Sequence, residues 1–379
     1  MKRTQQALAI LVMLVMLAAC VGKQSSTEDF NIKKYNPHYA LGFELVGAKG
    51  MQSTILEVHK PWQGAENIKS QLFIARNGES APQGFSGQII NGAAKRIVCM
   101  SSSHVAMLDA VGAADLIVGV SGIDYISNIY ISSHKDNIAD VGYDGNIDYE
   151  QLVGIKPDLV LLYGVRGAST AEPKLRELEI PFVYIGEYLE ESPLGKAEWL
   201  VAVSELIGNR TEGEEYFKDI PTRYNKLKAQ AAAANSDKPT VMLNAPYSDS
   251  WFMPSTDSYM AKLIADAGGQ YIYDKNTSAS SLAIDLEEAY SLTQQADIWI
   301  NVGGLSSLEE LKTAYPKFAD APCVVAGQIY NSTKRINPSG GNDFWESGVV
   351  NPDLILRDLI KIFHPEIISD NFYYYLKLD

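Results

Sequence analysis

Three serines followed by a histidine, Ser101 to His104, stand between an apolar stretch, RIVCM, and a segment of helical character, VAMLDAVG. A strand-to-helix turn is one place where a hydroxyl nucleophile is presented, and a neighbouring imidazole is the base that such chemistry needs. Adjacency in sequence is not a triad, and no acid in fitting context completes one. No G-x-S-x-G, H-E-x-x-H, Walker or dinucleotide fingerprint follows a suitable strand. These residues read as the lining of a binding site rather than as reactants, and the chain is not expected to be an enzyme. The histidines set a second limit. Of the five, His38 and His59 fall in an N-terminal β-like region and His364 in the last helical segment, which leaves His104 and His134. A naked zinc or manganese ion needs three or four clustered ligands, so a bare zinc or manganese receptor is disfavoured. His104 keeps three readings: neighbour of a helix cap, contact to an organic ligand, or axial ligand to a metal that arrives already chelated.

A second chemical signal is a repeat. From Gly145 the chain reads GNIDYEQLVGIKPDLVLLYG, and from Ala283 it reads AIDLEEAYSLTQQADIWINVGG. Both set Ile-Asp-x-Glu ahead of a short helical stretch, then an aspartate, an apolar strand and glycine. Asp148 and Asp285 suit N-caps, and Glu150 and Glu287 suit the positive end of a helix. On residue chemistry alone, that local role accounts for them.

The elements that must position these residues follow from periodicity. The chain has 379 residues, enough for two lobes with adequate cores. Between Tyr39 and Gly78, alternating apolar and polar positions predict a small antiparallel β region. From Lys95 short apolar strands alternate with helices: RIVCM, then SSSHVAMLDAVG, then LIVGVSG, with YEQLVG and AEPKLREL preceding further strands. That order predicts parallel sheets covered by helices. A helical stretch from Pro193 to about Asn235 follows, with Pro221 expected to kink it. Alternation then resumes through TVMLNA, DSYMAKLIADAGG, DIWINVGG, LEELKTAY and PCVVAG, the last expected as a strand. A final helix, NPDLILRDLIKIFHPE, should be capped by Asn351. The fold class is α/β: two lobes, each with a parallel sheet flanked by helices, joined by a long bridging helix and preceded by a small antiparallel extension.

The first residues, MKRTQQALAILVMLVMLAAC, carry Lys2 and Arg3, an apolar run and then Cys20. The run is short for a membrane span and right for an export signal. Its ending, LAAC, resembles the bacterial lipobox, which implies lipidation of Cys20 and a polar tether after it. The expected division is a signal peptide at 1–19, tether at 20–38, β extension at 39–92, first lobe at 93–192, bridge at 193–235 and second lobe at 236–379. Cys99 and Cys323 lie in apolar runs and read as buried thiols, a disulfide having no support from spacing. The net charge of −14 argues against nucleic acid and against an anionic membrane surface as binding targets.

In open α/β lobes ligands bind at the carboxyl ends of the strands. Applied here, that rule collects Ser101, Ser102, Ser103, His104, Tyr125, Tyr143, Tyr163, Arg166, Tyr247, Trp251, Phe252, Asn342 and Trp345. Tyrosine and tryptophan on loop tips suit a bulky, partly apolar ligand. Arg166 has two readings, a partner for a ligand carboxylate or catecholate and a solvated loop residue.

The segments KRIVCMSSSHVAMLDAVGAADLIVGVSG, IDYEQLVGIKPDLVLLYG, SYMAKLIADAGG and GGNDFWESGVVNPDLILRDLIKIFHPE, in this order about the helical bridge, resemble the helix-bridged (class III) substrate-binding proteins of ABC importers. Within that class the chain resembles the iron-chelate and cobalamin receptor family. The resemblance implies a ligand in the cleft between the lobes, with an iron chelate such as an iron–siderophore or haem ranked first and cobalamin as the alternative. It implies no resident cofactor and no protein-bound metal. It further implies that Glu150 and Glu287, one per lobe, enter arginine pockets on an inner-membrane permease dimer driven by its ATPase. Such a receptor acts as a monomer, lipid-anchored in the cell envelope on the periplasmic side. A contrasting reading is an envelope hydrolase on the same two-lobed scaffold. The role of the Tyr39–Gly78 region is unassigned.

Overall fold

The computed structural model describes residues 25–165, 167–234 and 237–379; Cys20 and Arg166 lie outside them. The chain opens with a five-stranded sheet: β1 (Ile32–Tyr35), β2 (Phe43–Gly47), β3 (Thr54–His59), β4 (Lys69–Ala75) and β5 (Gln88–Asn91), in that spatial order. The first four pair antiparallel, but β5 runs parallel to β4, so the sheet is mixed rather than purely antiparallel. It also begins earlier than expected, because β1 falls in the stretch read as tether. Alternation sends Phe43, Leu45, Leu56, Val58, Leu72 and Ile74 to one face, where they join the core of the first lobe.

The first lobe comprises β6 (Ile97–Cys99), α1 (Ser102–Ala110), β7 (Ile117–Val120), α2 (Ile129–Ser133), β8 (Ala139–Asp140), the hairpin β9 (Gly142–Tyr143) and β10 (Asn146–Ile147), α3 (Tyr149–Gly154), β11 (Leu159–Leu162), α4 (Glu172–Glu177) and β12 (Phe182–Tyr184). Its sheet is parallel throughout, in the order β12-β11-β6-β7-β8.

Two helices then carry the chain across, α5 (Pro193–Leu206) and α6 (Arg210–Ala232), the latter with Pro221 inside it. At 23 residues, α6 spans about 35 Å. The second lobe has β13 (Thr240–Leu243), β14 (Ser250–Met253), α7 (Tyr259–Asp266), β15 (Gln270–Tyr271), β16 (Leu282–Asp285), α8 (Leu286–Thr293), β17 (Ile298–Ile300), α9 (Leu308–Ala314), α10 (Pro322–Val325), β18 (Ile329–Asn331), α11 (Pro352–Phe363) and β19 (Leu376–Lys377). Its sheet order is β15-β13-β17-β18-β19, parallel except for β19.

Three local expectations are corrected. PCVVAG is not a strand: Pro322 starts the short helix α10, and the strand is the following IYN. Proline at a first helical turn loses nothing, since that amide has no intrahelical partner. Asn351 does not cap α11 through its side chain; its carboxamide instead donates to the Ser347 carbonyl at 2.8 Å. The antiparallel pair β14–β16 is an addition to the expected lobe. Cys99 and Cys323 are free and buried, and burial pushes the Cys323 thiol up to about 11.

Helix α5 is buried along its whole length and shared by both lobes. Trp199, Leu200, Val203 and Leu206 belong to the first core, and Leu194, Ala197 and Val201 to the second. It also buries charge. Glu198 accepts from the amides of His38, Tyr39 and Ala40 at 2.7–2.8 Å and from the Tyr35 hydroxyl at 2.7 Å. Glu190, just before α5, accepts from Leu41 N, Gly42 N and Trp199 Nε1. The crossing from β1 to β2 is therefore wrapped around two buried carboxylates.

A second junction joins the lobes beyond β18. The Asn337 carboxamide donates to the carbonyls of Asp124 and Ile126, and Glu346 Oε2 accepts from Ser127 N at 2.8 Å. Gly341 lies so close that a Cβ there would sit 2.0 Å from the Tyr125 carbonyl oxygen. Burial, with Asp343 adding, pushes the Glu346 carboxyl up to about 8.

Two outcomes follow. Glu198→Ala orphans three amides, of which that of Ala40 is buried and those of His38 and Tyr39 part-buried, and a tyrosine hydroxyl, a buried unsatisfied group costing about 1–3 kcal/mol. Urea denaturation should show a loss of about 3 kcal/mol or more, and a loss below about 1 kcal/mol would contradict the wrapping role. Glu346 has its carboxyl raised in the folded state, so it takes up a proton on folding. Its contribution to stability therefore falls as pH rises from about 4.5 towards about 8. Thermal melts across that range should decline less steeply for Glu346→Gln than for the wild type, and parallel profiles would refute the assignment.

Candidate functional site

The two sheets share a feature that decides where a ligand can sit. In the first lobe the chain builds outward from β6 through β7 and β8, then returns to place β11 on the other flank of β6. In the second it places β15 on one flank of β13 and then β17 on the other. Each sheet thus has a switch point, at β6/β11 and at β13/β17, where loops at the carboxyl edge diverge and leave a crevice. The carboxyl edges face one another: the loop after β7 is hydrogen-bonded to the loop after β18 through Ser127, Asn337, Gly341 and Glu346.

Most of the expected aromatics stand on these edges with accessible rings. Tyr125, after β7, is 54% exposed, Trp345, after β18, 48%, and Tyr247, after β13, 75%. Tyr143 and Phe252 are also exposed, and Tyr163 is half-buried at the end of β11. Tyr143 lies flat on Gly122, where a Cβ would meet its hydroxyl at 2.5 Å. Asn342 is half-buried, and its side chain accepts from Phe344 N to cap the turn that presents Trp345.

Other expected contacts are corrected. Trp251 is fully buried, packed on Trp299 and Phe318 with centroids 5.2 and 5.3 Å away, its indole donating to the Leu243 carbonyl. The reason is the two-residue period of β14, which turns Trp251 and Met253 inward and Phe252 outward. Ser103 and His104 are buried as well, whereas Ser102 is partly accessible. The Ser103 hydroxyl donates to Glu187, and His104 Nε2 lies 4.0 Å from the same carboxylate. Burial pushes His104 down to about 3, so the imidazole is neutral at ordinary pH, while burial raises Glu187. Beneath them Lys196 of α5 is buried with its ammonium 4.5 Å over the ring of Tyr259 in the second lobe. Ser103 and His104 thus belong to a buried polar cluster beside the bridge and are not exposed ligand contacts, while Ser101 and Ser102 stay partly accessible.

Glu150 and Glu287 stand in the first turns of α3 and α8, exposed at 85% for the Glu287 side chain. Asp148 and Asp285 do cap these helices, accepting from Gln151 N and from Glu287 N and Glu288 N. The helices feed β11 and β17, each the strand beside the first strand of its sheet, so the two motifs occupy corresponding places. A helix returning to the start of a parallel strand must itself start near the carboxyl edge, so both glutamates stand near the carboxyl edges of their sheets. Glu288 is held by Lys275 at 2.6 Å, while Glu287 makes a looser contact with Lys317 at 3.2 Å.

Sequence reasoning missed several residues of the site. Asn244 and Asn301, directly after β13 and β17, both take left-handed conformations, with φ of 69° and 60°. Non-glycine residues there are uncommon, and asparagine tolerates the region best. Their position at the second switch point bends both loops at the crevice. Asn337, Glu346 and Glu187 were also missed, since their roles depend on contacts far along the chain. Two cavities, about 760 Å³ beside Phe73, Glu79 and Ile89 and about 290 Å³ beside Lys238, Gly269 and Tyr273, lie along the edge strands β5 and β15, away from the switch points. The first is a fold of the β4–β5 edge whose acid, Glu79, already accepts from Gln52 N and Ser53 N.

Known proteins align with this architecture. An uncharacterized lipoprotein of Methanocaldococcus jannaschii is 27% identical over 290 residues, 74% of this chain and 67% of its own. A second uncharacterized lipoprotein of that organism is 25% identical over 83% of this chain and 81% of its own. Among solved structures, a periplasmic heme-binding protein from Pseudomonas aeruginosa superposes with a TM-score of 0.59 at 16% identity, over 76% of this chain and 98% of its own. A periplasmic vitamin B12-binding protein of Vibrio cholerae gives 0.52 at 15% identity, over 73% and 99%. At these identities the structures show the shared fold alone. Residues 97–335, from β6 to just past β18, match the model of one family, described as periplasmic binding protein. The chain belongs to the periplasmic binding protein family.

Proposed function

We propose that the protein is the substrate-binding component of an ABC importer. It captures a metal chelate, an iron–siderophore or haem, between the lobes and hands it to a permease dimer powered by its ATPase. The observation that carries the reading is the set of accessible aromatic rings, Tyr125, Tyr143 and Tyr163 from one lobe and Tyr247, Phe252 and Trp345 from the other, on facing carboxyl edges. Aromatic faces cover a large, partly apolar ligand at little entropic cost. The family and the superposed heme- and vitamin B12-binding proteins support the chelate class, with cobalamin as the second reading. Binding occurs without turnover: Ser103 is committed to Glu187 and His104 is buried, which disfavours an envelope hydrolase. Lipidation at Cys20 holds the monomer in the cell envelope, in keeping with relatives named as lipoproteins. No helix among the described residues is long and apolar enough to cross a membrane. Arg166, which lies outside the described residues, is proposed as a partner for an acidic group of the ligand, its other reading being a solvated loop residue.

Docking uses Glu150 and Glu287. An arginine–carboxylate fork is directional and strong for a charge pair, and one such contact per lobe reports the spacing of the lobes.

The cleft is tested by titrating ferric trihydroxamate, haem and cobalamin separately into the protein. One of them should bind, and Tyr125→Ala combined with Tyr247→Ala should weaken it by about 100-fold. Undiminished affinity in the double variant would move the site elsewhere. Docking is tested in cells by Glu150→Lys with Glu287→Lys, which should abolish uptake at unchanged ligand affinity. Normal uptake would remove the docking role.

A further inference from the structure

The N-terminal sheet lies outside the matched family segment. Its second face carries a small apolar cluster of its own, with Val46, Ile55 and Phe73 packed beneath Phe30, and polar side chains beyond that cluster. In β2 and β3, Glu44 and Glu57 are register partners, so two carboxylates stand directly opposite each other on neighbouring strands. Like charges so placed repel, and strands usually avoid the arrangement. His59 lies two residues beyond Glu57 and therefore on the same face. One ligand atom from each of Glu44, Glu57 and His59 comes within 4.8 Å of the others, and all three side chains are partly buried.

We propose that Glu44, Glu57 and His59 form a binding site for a divalent first-row transition ion, with zinc as the reference. Zinc takes imidazole and carboxylate ligands at about 2.0–2.2 Å and separates tetrahedral ligands by about 3.4 Å. Closing the present spacing needs side-chain adjustments of about 1 Å, within the reach of rotamer changes on a fixed sheet. The imidazole selects against calcium and magnesium, which take oxygen ligands. Water completes the coordination on the solvent side.

The groups that now offset the acidic pair are weak competitors. Lys33 approaches Glu44 at 3.4 Å, and Lys69 approaches Glu57 at 3.1 Å. Both lysine side chains are more than half exposed, and pairs of that kind contribute little. Gln71 donates to the other oxygen of Glu57 at 2.7 Å, which orients the carboxylate and leaves Oε2 for the ion once Lys69 swings out. The sheet supplies rigidity: the opposite face of β2 and β3 is locked into the first-lobe core through Phe43, Leu45, Leu56 and Val58. The site is independent of the chelate reading.

The test is isothermal titration of zinc chloride into the untagged full chain in detergent, stripped of metal beforehand. A single saturable site is expected, unaffected by excess magnesium and accompanied by a rise in melting temperature. His59→Ala should weaken it by about 10-fold or more, with Glu44→Gln, which preserves size and fold, acting in the same direction. No saturable binding up to roughly 1 mM would overturn the proposal and leave the cluster a lysine-neutralised ion-pair network. Equal affinity in the wild type, His59→Ala and Glu44→Gln would overturn it as well, by placing the metal elsewhere.

Discussion

Helix α5 is the element on which the rest depends. A helix buried on every side can satisfy its backbone internally, yet this one also carries Lys196, Glu198 and Glu205 into the interior. Buried charge is costly unless it is paired and hydrogen-bonded. Each of these groups finds partners on a different part of the molecule. Glu198 holds the segment before β2, Glu205 takes Thr54 of β3 with Arg76 and Arg210, and Lys196 lies between Glu187 of the first lobe and Tyr259 of the second. The β extension, both lobes and the bridge are thus fastened at one helix. Removing a single partner strands a charge in the interior. That asymmetry makes the relative placement of the lobes a property of the folded core rather than of a flexible linker.

With the lobes fixed at α5 and again at the Asn337–Glu346 junction, the cleft is shaped at two edges. The junction sets Tyr125 and Trp345 by hydrogen bonds between side chains and backbone rather than by side-chain packing alone. Rings held in this way lose little freedom when a ligand covers them, so preorganisation favours binding. The mechanism this frame supports is a modest adjustment of the lobes about a ligand, not a wide opening. In the proposed docking, Glu150 and Glu287 would report a small change in spacing from helices whose caps are already satisfied.

Much of the architecture was legible in the sequence because strand–helix alternation and glycine stops are local signals. The repeated Ile-Asp-x-Glu motif located α3–β11 and α8–β17, and the structure gives those units corresponding places in the two sheets. Legibility failed where a side chain's direction depends on pairing. Trp251 was read as a loop aromatic because β16, its partner strand, lies some thirty residues away; pairing made it an inward position. His104 and Ser103 read as site lining, yet their surroundings are set by Glu187, 84 residues from Ser103. PCVVAG is apolar and short, and neither its length nor its composition separates a strand from a helical turn. The Glu44–Glu57–His59 cluster is not legible in sequence, because strand register brings Glu44 beside Glu57 and His59 from a separate strand.

The facing aromatic edges of the two lobes are proposed to hold a preformed metal chelate. The most direct measurement is the absorption spectrum of the protein purified from its native cells, followed by release and mass analysis of any bound compound. The account predicts a visible chelate band that travels with the protein and is lost when Tyr125 and Tyr247 are both replaced by alanine. A colourless protein carrying a metal-free solute, or a band retained in that double variant, would contradict it.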